Sequence, residues 1–382
     1  MNFATSDGRL FLSPPVVGQA EVDAVVAALR SGWIAPVGPE LNAFEKDVAD
    51  ATGRKYAVAL SSGTAALHLG LKALGISTGQ EVLVPTLTFA ASAFAVKHAG
   101  AEPTFLDIER ESWNLDPQLL RDVLQRRNLS DGRPAAVMAV DVFGRTCNYA
   151  EIAAICQEYE VPLLVDAAES LGATFDNAKA GSLGRLAGVS FNGNKMVTTG
   201  GGGALVTDDE VLAEQVRKWA SQSREPVPWY EHEEVGFNYR LSNIAAALGQ
   251  AQLARLAEFI KRRRAIFDKY RQNLSHLDGV TLMGDPPWGT WNGWLTIIDF
   301  DFDLYPEAPV RVREALERKN IESRPVWKPM HRQPVFLRNP AVITGVADEA
   351  FKRGLCLPSG ASMSDLDVDR VSEIVISTLQ AS

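Results

Sequence analysis

Lys195 stands in the stretch Ser190-Phe-Asn-Gly-Asn-Lys195-Met-Val-Thr-Thr-Gly200, flanked by Asn and Met and outside any amphipathic helical pattern. Shielded from water, its charged form is disfavoured and its amine becomes a nucleophile toward an aldehyde. Taken singly, such a lysine is more often a surface charge. Gly200 to Gly203 and the apolar run Ala204-Leu-Val-Thr207 follow, which predicts a tight reversal between two extended segments. Ser61-Ser-Gly-Thr64 lies where a strand-like run meets a helical one. Backbone amides at a helix start, with hydroxyls beside them, make a small phosphate site, although the same residues suit an ordinary N-cap. The stretch lacks the spacing of a nucleoside-triphosphate loop or a dinucleotide fingerprint, so its best ligand is one phosphate monoester. Asp166 closes the apolar run Val161-Pro-Leu-Leu-Val-Asp166, with turn or N-cap duty as its alternative.

An amine at Lys195, a carboxylate at Asp166 and a phosphate cup over residues 62–65 together meet the demands of pyridoxal phosphate. Its aldehyde takes an amine, its ring nitrogen stays protonated beside a carboxylate, and its phosphate needs an anchor. The joint occurrence is far more specific than any one member.

These residues need a scaffold, and the sequence supplies its rhythm. From about residue 18 to 260, short β-branched runs alternate with helix-length segments, as in a mostly parallel α/β sheet with helices on both faces. Tyr56–Leu60, Glu81–Pro85, Glu102–Asp107, Ala135–Asp141 and Val161–Asp166 read as strands. Ligands in such sheets bind beyond the carboxyl ends of the strands, where Asp107, Asp141 and Asp166 stand. Residues 242–274 read as one long connecting helix, followed by a smaller C-terminal α/β domain. There Trp291–Asp299 reads as a strand, Pro309–Lys319 as a helix and Ile321–Pro325 as a return strand. The division expected is 1–250 for the larger domain, N-terminal segment included, and 251–382 for the smaller.

The chain has 382 residues, a formal charge of −9, and 46% hydrophobic content. At roughly 100–200 residues per domain, that length suits two domains. The acidic balance argues against nucleic acid as a partner. The basic run Lys261 to Arg264 reads as a solvated helix face. Cys147, Cys156 and Cys356 form neither a disulfide framework nor a zinc pattern, which points to a reducing, cytoplasmic setting. The histidines are scattered, so no metal is expected. Neither a signal peptide in the opening residues nor a membrane span is expected.

Across nearly its whole length the sequence resembles the DegT-type nucleotide-sugar aminotransferases, which are fold-type I pyridoxal phosphate enzymes. The segments that carry the resemblance are Ser31-Gly-Trp-Ile-Ala-Pro-Val-Gly-Pro39, Ser61-Ser-Gly-Thr-Ala-Ala-Leu67, Pro85-Thr-Leu-Thr-Phe89, Asp166-Ala-Ala-Glu-Ser170, Phe191-Asn-Gly-Asn-Lys195, Gly236-Phe-Asn-Tyr-Arg240 and Trp327-Lys-Pro-Met-His331. By that resemblance Lys195 is the lysine that bonds to the cofactor and later moves protons, and Asp166 is the partner of the ring nitrogen. Glu169 matches the contact to the ring hydroxyl and Phe89 the aromatic stacked on the ring. Gly63, Thr64, Ala65 and Ser190 match the phosphate contacts. Asn238 matches a residue that the neighbouring subunit supplies, which implies a homodimer with shared active sites. Arg240, His331 and Lys328, with Asn238, fall at positions near the nucleotide-sugar, with Arg324 or the Lys261 cluster as alternatives.

Some relatives carry histidine at the covalent position and dehydrate their substrate; Lys195 here favours transamination. The segments around Asn192 and Trp327 look closest to members that aminate UDP-linked 4-keto-6-deoxy-N-acetylhexosamines, with glutamate as donor. Two rival readings are a C3 aminotransferase of a dTDP-linked keto sugar and a sensor that binds cofactor or sugar nucleotide without turnover.

Overall fold

The computed structural model describes residues 8–129 and 132–381. Residues 1–7, the start of the thirty-residue stretch on which the reading of no signal peptide falls, lie outside them. The large sheet runs Tyr56–Leu60, Gly203–Thr207, Leu186–Ser190, Leu163–Asp166, Ala136–Val140, Glu81–Pro85, Glu102–Leu106 and Ala341–Val342 in spatial order. Gly203–Thr207 is antiparallel to both neighbours, and every other pairing is parallel. The strands are apolar throughout because both faces are covered. Val137 and Ala139 enter one core with the helices Pro39–Thr52, Pro117–Asn128 and Tyr149–Glu158. Ala136 and Met138 enter the other, against Gly63–Ala73, Ala90–His98 and Glu210–Ala220. This is the α/β arrangement that the sequence rhythm predicts.

A second sheet, antiparallel throughout, orders Val280–Leu282, Thr296–Phe300, Gly354–Leu357 and Arg324–Pro325. The helices Leu256–Leu274, Ala308–Arg318 and Asp365–Gln380 bury Tyr270, Val312 and Val371 into its core. The N-terminal segment packs on this sheet: Leu10 bridges Ile321, and the Leu12 amide donates to Glu322 at 3.1 Å.

Four local expectations change. The long helix is broken at Ala254 and Arg255 into Asn243–Leu253 and Leu256–Leu274. The break lets Gln252 (2.8 Å) and Arg255 (2.9 Å) reach the same buried carboxylate, Glu21. The strand expected from Trp291 starts only at Thr296, because side chains take the upstream amides: Asp285 accepts from Trp291 N and Asn292 from Trp294 N. Likewise only Arg324–Pro325 of the return strand pairs with the second sheet, Ile321 being held by Leu10. The helix face Lys261 to Arg264 is not uniformly solvated, since Arg263 is buried at 3% exposure and donates to Trp294 O, Ser359 O and Ser13 Oγ.

Candidate active site

The glycine run does not itself make the reversal. Ser190 pairs with Gly203, so the whole of residues 191–202 forms the connecting loop, and Lys195 lies within it. The loop is held by its own turn and by distant segments. Lys195 N donates to Asn192 O (3.0 Å), Thr199 N to Phe191 O (3.0 Å), and Ser13 Oγ and Trp294 Nε1 both to Asn194 O (2.8 and 2.7 Å). Gly203 allows the loop's return to cross the phosphate cup, since a Cβ there would lie 2.4 Å from the amide nitrogen of Gly63.

The loop aims the Lys195 side chain into a cavity of about 900 Å³ at the carboxyl ends of the strands. Lys195 Nζ lies 3.0 Å from Glu169 Oε1 and 4.1 Å from the centroid of the Trp294 ring. Glu169 Oε2 accepts from the Phe143 amide at 2.8 Å. Phe143 adopts a left-handed conformation, φ 54°, uncommon outside glycine, and so turns its amide toward that carboxylate. Burial pushes the Glu169 carboxyl up to about 7, against the opposing charge of Lys195 and the hydrogen bonds from Lys195 and Phe143.

Asp166 is also buried. Its Oδ2 accepts from Ser92 Oγ at 2.6 Å and its Oδ1 from the Ala168 amide at 3.1 Å. Burial raises its carboxyl, and the Ser92 hydroxyl, the Ala168 amide and the charge of Lys195 work in the opposite direction. Ser92 is itself paired with Thr88 at 2.7 Å. Asp166, Glu169 and Lys195 therefore form one coupled set on the cavity floor.

The cup forms as a capped helix. Ser62 accepts from the Ala65 amide at 3.0 Å, which leaves the amides of Gly63 and Thr64 outside the helical ladder. Gly63, Thr64 and Ser190 line the cavity, while Ala65 is buried behind them. Phe89 is 58% exposed, caps the helix Ala90–His98 and meets Trp327 at 5.8 Å. A buried carboxylate, an amine, open helix-start amides beside a hydroxyl, and an aromatic wall around one cavity fit the donor and acceptor set of pyridoxal phosphate.

The substrate residues expected from sequence are not all brought here. Arg240 lines no part of the cavity; it is ion-paired with Glu45, which also accepts from Ala59 N. His331 bonds Thr86 at 2.7 Å and faces Asp348 at 3.5 Å. Lys328 and Asn238 are exposed and off the cavity of their own chain. Arg324 does line it, beside Glu322. Ser92, Trp294 and Phe143 went unread. Ser92 borders the Pro85–Phe89 segment and was legible there, whereas nothing in the sequence ties Trp294 or Phe143 to Lys195. Among the described residues, no grouping of His, Cys, Asp and Glu suits a metal ion, and no helix is long and apolar enough to cross a membrane.

The model of the DegT/DnrJ/EryC1/StrS aminotransferase family matches residues 15–376. The chain belongs to that family. EpsN of Bacillus subtilis (strain 168), whose name describes a pyridoxal phosphate-dependent aminotransferase, is 43% identical over 374 residues, 96% of this chain and 95% of that protein. A GDP-perosamine synthase of Caulobacter vibrioides is 36% identical, over 95% and 96% of the two chains. The crystal structure of DesI in the presence of its TDP-sugar product superposes with a TM-score of 0.88 at 30% identity, covering 98% of this chain and 94% of that one. As a member of the family, the chain is a pyridoxal phosphate-dependent sugar aminotransferase of fold type I, and its substrates are nucleotide sugars.

Proposed function

We propose that the enzyme transfers the amino group of glutamate to the keto carbon of a UDP-linked 4-keto-6-deoxy-N-acetylhexosamine. The observation that supports amino transfer is the cavity itself, with Lys195, Glu169 and Asp166 on its floor and Arg324 and Trp327 on its wall, and the choice of sugar nucleotide rests on the segments around Asn192 and Trp327. The cofactor, when bound, supplies an aldehyde that takes amines and a ring that draws electrons from the carbon being deprotonated. Lys195 Nζ would hold that aldehyde and would serve as the base that lifts and returns a proton at the substrate carbon. Asp166 holds the ring nitrogen's proton. Glu169, raised to about 7, keeps a shareable proton near neutral pH beside Lys195. Gly63, Thr64 and Ser190 hold the phosphate, and Phe89 forms one wall for the ring. A guanidinium at Arg324 suits a diphosphate.

The enzyme works as a homodimer with shared sites. Asn238 is exposed and is not among the residues lining its own cavity, and Trp33, Ile34, Val37, Trp229, Tyr230 and Val235 are exposed large apolar side chains. Three buried free thiols suit a reducing cytoplasm. Residues 1–250 and 251–382 are read as its two domains.

The test begins with the visible spectrum of the protein with pyridoxal phosphate, before and after glutamate, with borohydride trapping and peptide mapping. A band that glutamate bleaches, with the adduct on Lys195, is expected. Parallel assays with UDP-, dTDP- and GDP-linked 4-keto and 3-keto sugars then name the substrate; amination of only a 3-keto dTDP sugar overturns the C4 reading. Cofactor binding with no product from any keto sugar supports the sensor instead. Mixing Lys195→Ala with Asn238→Ala subunits restores activity if the sites are shared.

A further inference from the structure

Trp291-Asn-Gly-Trp294 precedes the strand Thr296–Phe300, yet its side chains reach away from the second sheet to the Lys195–Glu169 pair. Trp291 Nε1 donates to Phe143 O at 2.8 Å, which braces the turn whose amide holds Glu169. Asn292 is fully buried; its Nδ2 donates to Glu169 O at 2.7 Å and its Oδ1 accepts from Trp294 N at 3.0 Å. One amide thus ties the backbone of Glu169 to that of Trp294. The Trp294 ring does two things: its Nε1 bonds Asn194 O beside Lys195, and its face lies 4.1 Å from Lys195 Nζ. Arg263, buried, fastens the assembly from behind by donating to Trp294 O (2.8 Å) and to Ser13 Oγ (3.1 Å), the second partner of Asn194 O.

We propose that Trp291-Asn-Gly-Trp294 is a clasp for the lysine amine, with the Glu169 carboxylate on one side and the Trp294 face on the other defining where Nζ rests whenever it is not bonded to the cofactor. This deepens the preceding section and rests on its assignment of Lys195. The physical reason is that a lysine is a compact charge on a flexible stem, and turnover needs its nitrogen returned to one place in each half-reaction. A carboxylate supplies attraction but little direction. A ring face adds a fixed surface that prefers the protonated nitrogen. Arg263 and Asn292 are positioning residues, since they act through Trp294 and Glu169. The other titratable groups on the same cavity are Asp166, Cys356, Glu322 and Arg324, and none of them is altered in the variants below.

The experiment is a pH profile of the rate at which the visible band forms when pyridoxal phosphate is added to the cofactor-free protein, which reads Nζ before it is bonded, together with borohydride trapping and steady-state kinetics of the holoenzyme, on the wild type, Trp294→Leu and Trp294→Phe. Loss of the ring face removes stabilisation of the cationic nitrogen, so in Trp294→Leu the midpoint moves down by about half to one pH unit. kcat falls about ten-fold while KM for glutamate stays within about two-fold, the pattern for a contact that matters in the chemical step. Trp294→Phe keeps a ring face and holds the midpoint near the wild-type value. If Trp294→Leu does not fold, Trp294→Met, which fills the space without a ring, carries the same expectation. An adduct on Lys195 with an unmoved midpoint and unchanged kcat overturns the clasp alone. No adduct on Lys195 in the wild type overturns both the clasp and the assignment beneath it.

Discussion

Asp107 and Asp166 follow or close two parallel strands of one sheet, Glu102–Leu106 and Leu163–Asp166, and both carboxylates are buried. Their surroundings differ in how fully they are satisfied. Asp107 accepts from its neighbour Ile108 N and, across the chain, from the amides of Thr344, Gly345, Val346 and Ala347 and the Thr344 hydroxyl, all between 2.7 and 3.1 Å. It caps the helix Val346–Arg353, whose own N-cap residue, Gly345, has no side chain to do so. Among the described residues, Asp166 has only Ser92 and the Ala168 amide as hydrogen-bond donors, and it borders the cavity. Between them Asp141 is wholly buried, held by Tyr149, Ser170 and the Cys147 amide, and burial pushes it up to about 6. The same residue at equivalent strand ends serves folding where its lone pairs are filled by backbone, and is proposed to serve chemistry where it borders the cavity with fewer donors.

The contrast can be broken most directly at Asp166. Asp166→Ala should lower turnover by ~10³-fold or more, with thermal unfolding nearly unchanged because a costly buried carboxylate leaves with it; a loss below ten-fold would contradict its role. Asp107→Ala should do the reverse. It leaves buried backbone donors unmet, and denaturant unfolding should show a loss of about 2–4 kcal/mol, with kcat per folded molecule held within about two-fold.

A third test uses pH. Glu169 has a folded value raised from 4.5 to about 7 by burial, so the folded state holds its proton more tightly than the unfolded chain. Its contribution is therefore present in full below pH ~4.5 and is lost as pH rises through ~7. Stability measured by urea unfolding should decline across that window in the wild type, and Glu169→Gln should flatten the decline. An unaltered slope in the variant would assign the titration elsewhere. The smallest effect belongs to Ser92→Ala. It removes a hydrogen bond that favours the Asp166 carboxylate, so the acid limb of the kcat/KM profile should move up by about half a unit, with at most about ten-fold loss of activity. An unmoved limb would show that Ser92 only packs.

The three strand-end aspartates also mark how far the sequence could be read. Each stood at the end of an apolar run, which places it at the site-forming edge of a parallel sheet, but cap and site readings had equal standing for each. Only the fold decides that the 344–347 segment arrives at Asp107 and the cavity at Asp166. Lys195, Glu169, Gly63, Thr64, Ser190 and Phe89, all of which line the cavity, were legible as candidates because they lie in short contiguous segments. Lys328 and Asn238 were read from segments too, yet the fold holds them outside their own chain's cavity, and Arg324 takes the rim.

The sequence by itself determined the alternation of buried strands and helices and the family, and it supplied the amine, carboxylate and phosphate-cup residues as candidates. These are local: residue type, period and spacing along a few residues carry them. Tertiary structure alone decided that the loop 191–202 carries Lys195 between Glu169 and Trp294, that Ser92 braces Asp166, and that Arg263 is buried behind the site rather than solvated. Those pairings join residues 26 to 99 positions apart, and a side chain's protonation and partners follow from burial, which no local pattern encodes.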